Sequence, residues 1–161
     1  MKLTKNDIYM NALIYGLVTL AVYLAIVMLK DGKCPPSISD SYYTSGKWMF
    51  TIVMFSESIL LSIALIENSR PQFQCLGFVS GAALAFVGAA PHFKEEFEKK
   101  IHFSAAYTFA IGSQLWVCLN ESPIYMLVWM VAMPFIFGYG SHRTFIEEIT
   151  CVAVIALSIL C

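Results

Sequence analysis

Residues 12–29 read "ALIYGLVTLAVYLAIVML", eighteen positions without a charge, and they decide the fold class. A helix rises about 1.5 Å per residue, so this run reaches about 27 Å, close to the hydrocarbon thickness of a bilayer. It is longer than the core of a signal peptide, and no small-x-small cleavage site follows it, so it is read as a retained helix. Five further apolar runs follow. The six cover about 10–29, 48–66, 73–91, 101–119, 123–140 and 145–161. The breaks are "KDGKCPP", "ENSRPQ", "PHFKEEFEKK", "NESP" and "GYGSHR", each carrying proline, glycine or charge.

Composition points the same way. Of 161 residues, 58% are hydrophobic and 13% charged, more apolar surface than a water-soluble domain of this size can hide. In lipid only helices and closed barrels satisfy their own backbone, and the alternation of barrel strands is absent. The expected fold is all-α: a polytopic integral membrane bundle of six transmembrane helices forming one domain over 1–161. The expected location is the cell inner membrane.

Six spans sort the connections into two sets. Lys30, Lys33, Lys47, Lys94, Lys99, Lys100 and Arg143 fall on one face, against Lys2, Lys5 and Arg70 on the other. The positive-inside rule places the first face in the cytoplasm. That face also carries the longest connection, "CPPSISDSYYTSGKW" at 34–48, all three histidines, Asp40, and the pair Glu147–Glu148. His102 opens the fourth run as "IHFSAAYTF", above Ala105 and Ala106 on the same helical face. The loop is therefore expected to fold over the helix ends and form one polar interfacial site. His102, Ser39, Asp40 and Glu148 are its candidate catalytic groups, and Ser37, Tyr42, Glu147 and Glu57 its candidate binding groups. The competing reading is a solvated cap tethered in the interface by Tyr42 and Tyr43.

Glu57, in "FSESILLS", lies near the bilayer centre, where an ionisable group must face other helices, be protonated, or find a partner. Ser56, Ser58 and Ser62 are its expected neighbours. Glu147 and Glu148 are expected in the first turn of the last helix, where its dipole favours a carboxylate. Gly77, Gly81, Ala85 and Ala89 form a small-residue stripe suited to close packing within the bundle, or alternatively to a homo-oligomer. Pro134 and Gly138 are expected to kink and loosen the fifth helix. Trp48, Tyr42 and Tyr43 are assigned to an aromatic belt at the loop face and Trp116 to one at the other.

Several classes find no support. There is no basic cluster with interleaved aromatics, no glycine-rich phosphate loop and no nucleophile elbow, so nucleic-acid binding and nucleotide hydrolysis are disfavoured. The five cysteines have no metal spacing and are read as free thiols. No motif names a cofactor. A metal centre would need His92, His102 and His142 from different helices, without an H-x-x-x-H pair.

"PPSISD", "IHFSAAYTF" and "FIEEI" together resemble a superfamily of six-helix membrane proteins. It comprises DRAM-type autophagy modulators, GPI-anchor-remodelling proteins and bacterial membrane proteins of unknown function. The resemblance spans nearly the whole chain, with Ile38–Ser39, His102 and Glu147 or Glu148 as the matching elements. It implies a loop outside the cytosol, opposite to the Lys and Arg count, and so leaves the side of the termini open. The expected function is lipid binding or lipid modification, with membrane lipid as partner and His102 as general base oriented by Asp40 or Glu148. The alternatives are a non-catalytic membrane subunit or small channel-forming effector, and a metal-dependent membrane hydrolase.

Overall fold

The computed structural model describes residues 5–136 and 140–161, and every regular element among them is helical. Each apolar run becomes a helix: α1 (Lys5–Asp31), α3 (Lys47–Glu67), α4 (Gln74–Ala89), α5 (Glu96–Trp116), α6 (Pro123–Ile136) and α7 (Arg143–Leu160), with a four-residue α2 (Tyr42–Ser45) inside the long loop. Asp7–Asp31, Lys47–Glu67 and Pro71–Ala89 are long and apolar enough to cross a membrane; Pro123–Met133 is apolar but shorter. α5 begins with the charged segment "EFEKK" and α7 with "RTFIEE", so their apolar parts are shorter than the helices themselves. α6 runs past Pro134 to Ile136, and Gly138 lies outside the described residues.

α3 packs on both α1 and α4, α4 on α5, and α6 pairs with α7, which also touches α1 and α5. The buried side chains form two clusters. One joins Leu13, Leu65, Trp116 and Ile155; the other, nearer the long loop, joins Tyr23, Val27, Phe50 and Val87. Gly16 on α1 and Glu57 on α3 lie at the level between them.

The glycines of α4 set its spacing from α3. A Cβ at Gly81 would come within 2.9 Å of the Ser62 Cα, and one at Gly77 within 3.1 Å of the Leu65 Cβ. This half of the small-residue stripe is covered inside the bundle, while Ala89 is exposed and Gly88, packed on Met54, continues the contact. The switch from 85 and 89 to 88 follows from 3.6 residues per turn, which a strict four-residue repeat outruns.

Two aromatic assignments are corrected. Trp116 is 0% exposed and its Nε1 donates to Ser69 Oγ at 2.6 Å, so it is a core residue and no belt residue. Tyr42 is also buried, while Trp48 and Tyr43 are exposed as expected, with Lys94 Nζ 4.0 Å above the Tyr43 ring.

Candidate functional site

The long loop is built from hydrogen bonds that the sequence supplies locally. Ser37 Oγ accepts the Asp40 N–H at 2.9 Å and donates to Asp40 Oδ2 at 3.0 Å. Both bonds are local, joining residues three apart at the spacing S-x-x-D. They lead into a 3-10 turn at Ser39–Ser41, which runs on into α2. Gly46 then turns the chain into α3 with φ +90°, a conformation that disfavours a side chain.

Each part of this loop docks on a different helix. The Phe145 N–H donates to Pro36 O at 3.0 Å, and the Ile38 N–H to Glu148 Oε2 at 2.5 Å, fixing residues 36–38 against α7. Ser39 Oγ lies 2.9 Å from His102 Nε2 on α5. Tyr23 OH on α1 meets Ser41 Oγ at 2.5 Å and Ser45 Oγ at 2.9 Å. Tyr42 OH pairs with His92 Nε2 at 2.8 Å, beyond the end of α4. Burial pushes the Tyr42 phenol above its ordinary value.

The structure therefore brings Ser39, His102, Ser37, Asp40 and Glu148 to one end of the bundle, in a different arrangement from the one expected. Neither Asp40 nor Glu148 orients His102: Asp40 is held by Ser37, and Glu148 holds the Ile38 backbone. Nδ1 of His102 instead lies 2.9 Å from the Ala90 carbonyl oxygen. Glu147 pairs with Arg143 at 3.7 Å. Because α7 begins at Arg143, both glutamates sit in its second turn, where the dipole has fallen off, so the dipole does not account for them.

The three histidines do not converge. His92 meets Tyr42, His102 meets Ser39, and His142 Nδ1 lies 3.5 Å from Pro35 O. Among the described residues no group of three His, Cys, Asp or Glu side chains is placed to hold a metal ion. The three-histidine centre has no geometric basis here, since each ring is taken up by a separate part of the loop.

Behind the loop, a cavity of about 620 Å³ runs into the bundle, with all six of the longer helices contributing to its walls. Ser37, Ser39, Asp40, His102, Glu147 and Glu148 line its polar end, and Leu13, Leu17, Leu61, Leu84, Phe109 and Ile155 belong to its apolar body. Glu57 lines it as well, deep in the bundle. Its side chain is buried with Oε2 against Gly16, and Oε1 has no hydrogen-bond partner among the described residues. The neighbouring serine does not serve it: Ser58 donates to the Gly81 carbonyl at 2.8 Å.

The opposite end holds a polar clasp that the sequence reading missed. Asn120 Oδ1 accepts the Arg70 N–H at 2.8 Å and its Nδ2 donates to the Asn68 carbonyl, while Asn68 Nδ2 donates to Glu121 Oε1 at 2.7 Å. The available signal was a pair of asparagines just past the ends of α3 and α5, residues that favour turns and caps.

Comparison with protein-family models, curated proteins and solved structures returns no match.

Proposed function

We propose that the protein is an integral inner-membrane protein with six spans that binds a single membrane lipid, its polar part at the loop end of the cavity. The observation that carries this reading is the cavity itself. Its volume of about 620 Å³ lies within the ~300–1,000 Å³ of small-molecule sites, and its apolar walls end in a few convergent polar groups. An amphiphile has the same division.

The membrane setting rests on the exterior. Leu29, Tyr15, Ile52, Ile59, Val131 and Phe86 all point outward from the helices, an apolar exterior of the kind lipid covers and water does not. α5 and α7 complete the six because they pack alongside the long apolar helices in the same up-and-down order. The likeness to six-helix DRAM-type and GPI-anchor-remodelling proteins supports the same reading. Of the elements that carry it, Ile38–Ser39, His102 and Glu147 or Glu148, Ile38 meets Glu148 and Ser39 meets His102.

The test is denaturing extraction of the protein purified in mild detergent, with mass spectrometry of the released lipids. A defined lipid near one per chain is expected, and Ala106→Phe, which fills the cavity wall, should remove it. An unselective annular mixture, unchanged by Ala106→Phe, would overturn the reading.

A further inference from the structure

Most buried serines here donate to a backbone carbonyl one turn away or on a neighbouring helix. Ser58 reaches Gly81 O, Ser80 reaches Leu76 O and Ser158 reaches Ile155 O, bonds that anchor the chain and leave no acidic or basic group beside the oxygen. Ser39 differs. Among the described residues it is the serine whose hydroxyl meets an imidazole, at 2.9 Å from His102 Nε2, and both side chains line the central cavity.

The hydrogen bond behind the ring sets its direction. A carbonyl oxygen can only accept, so the 2.9 Å contact with Ala90 O places the proton of His102 on Nδ1. In the neutral ring Nε2 then presents its lone pair to Ser39, and the hydroxyl donates. The Ala90 carbonyl is available because α4 ends at Ala89 and Pro91 follows, so no helical N–H one turn on takes it. Phe93 lies against the ring at 5.0 Å between centroids, and His102 is only 2% exposed. Nucleophile, base and orienting group are thus in sequence, within the separations that activated hydroxyls show.

We propose that Ser39 is an acyl-transfer nucleophile, with His102 as its general base and the Ala90 carbonyl as the group that orients the ring, acting on the carboxylic ester of a lipid held in the cavity. This rests on the lipid-binding reading and adds a reaction to it. As the Ser39 Oγ bonds to the ester carbonyl carbon, its proton passes to His102 Nε2. The tetrahedral adduct collapses with cleavage of the ester C–O bond, and His102 returns the proton to the departing alcohol oxygen. Water then adds to the acyl-Ser39 ester while His102 takes its proton. Collapse releases the fatty acid, and the proton returns to Ser39.

The test treats the full chain in detergent with an alkyl fluorophosphonate and maps adducts by peptide mass spectrometry. An adduct on Ser39 is expected, absent in Ser39→Ala. His102→Gln keeps an amide N–H for Ala90 O and an oxygen facing Ser39, so it should hold the loop and retain co-purified lipid. Its labelling rate should nonetheless fall by about 10²-fold or more, the usual range for loss of a general base. In the wild type the rate should rise with pH along a single titration, a readout that needs no variant to fold, and His102→Gln should abolish that rise. Wild-type protein that retains its lipid but takes no label at Ser39 would overturn the nucleophile and leave lipid binding standing. Labelling with no bound lipid would do the reverse.

Discussion

Glu148 is, with the Phe145 amide, one of the groups through which α7 holds the long loop, and its replacement tests that arrangement directly. Its Oε2 accepts the Ile38 N–H at 2.5 Å, and Ile38 is itself buried in the core cluster beside Tyr23 and Phe50. Glu148→Ala leaves that amide without a partner, a loss of about 1–3 kcal/mol for a buried donor. Glu148→Gln keeps a carbonyl oxygen in place and should cost less than about 1 kcal/mol. A chain of this size shifts its Tm by roughly 2–4 °C per kcal/mol, so about 2–12 °C is expected for Ala and less than ~4 °C for Gln. The loop should stay docked in both, because Phe145 to Pro36, Ser39 to His102 and Tyr23 to Ser41 are untouched. Thermal unfolding in detergent, followed by tryptophan fluorescence, gives the size of the effect, and amide exchange at Ile38 gives its place. Equal Tm values for Ala and Gln, or unchanged protection of the Ile38 amide in Glu148→Ala, would refute the reasoning.

Gly81→Val should lower Tm by the several degrees that overpacking by about 1–3 kcal/mol implies, because its Cβ meets the Ser62 backbone; an unchanged Tm would place α4 further from α3. Glu57→Leu removes a buried oxygen without a partner, so Tm should hold or rise, and a clear drop in thermal unfolding would show a partner for that carboxyl. Burial pushes the Glu121 carboxyl above its ordinary value of 4.5, so the folded chain binds its proton more tightly than the unfolded one; stability is full below that value and falls as pH rises through the higher folded one. Glu121→Gln, which keeps the oxygen that Asn68 uses, should flatten this dependence, and a curve of Tm against pH that matches the wild type would count against it. A cysteine at the exposed Lys33 should react with an impermeant thiol reagent from the side opposite an amino-terminal tag, and labelling from the same side would break the six-span count.

The positions of the helices were legible because each is marked by an apolar run and each break by proline, glycine or charge. The facing of those helices was not. On α1 and α4 apolar residues surround the whole circumference, so no periodicity separates a side that meets lipid from one that meets protein. Trp116 illustrates the difficulty. At the end of an apolar run it reads as an interfacial ring, and what draws it inside is the Ser69 hydroxyl on another connection together with the bare face of Gly77. Glu57 falls midway along α3, as counting residues along the run predicts. Its partner was misjudged, since serines at i±1 point to other faces.

At the loop the residue types were legible and their pairings were not. A long polar connection rich in hydroxyls must satisfy them once it is buried, and the histidines on the same face are the natural acceptors, so Ser39 near His102 follows from composition and topology together. Asp40 was drawn to His102 in that reading because a carboxylate is the usual orienting group. The spacing S-x-x-D instead commits Asp40 to Ser37, three residues before it, and a local bond of that kind forms without the entropy of closing a long loop. The group that does face Nδ1 is a peptide carbonyl set free where α4 stops before Pro91. A main-chain acceptor has no residue type, so no motif can announce it; only the end of a helix can. His102 therefore looked like a base in need of a carboxylate, when the place to look was the helix end that precedes it by twelve residues.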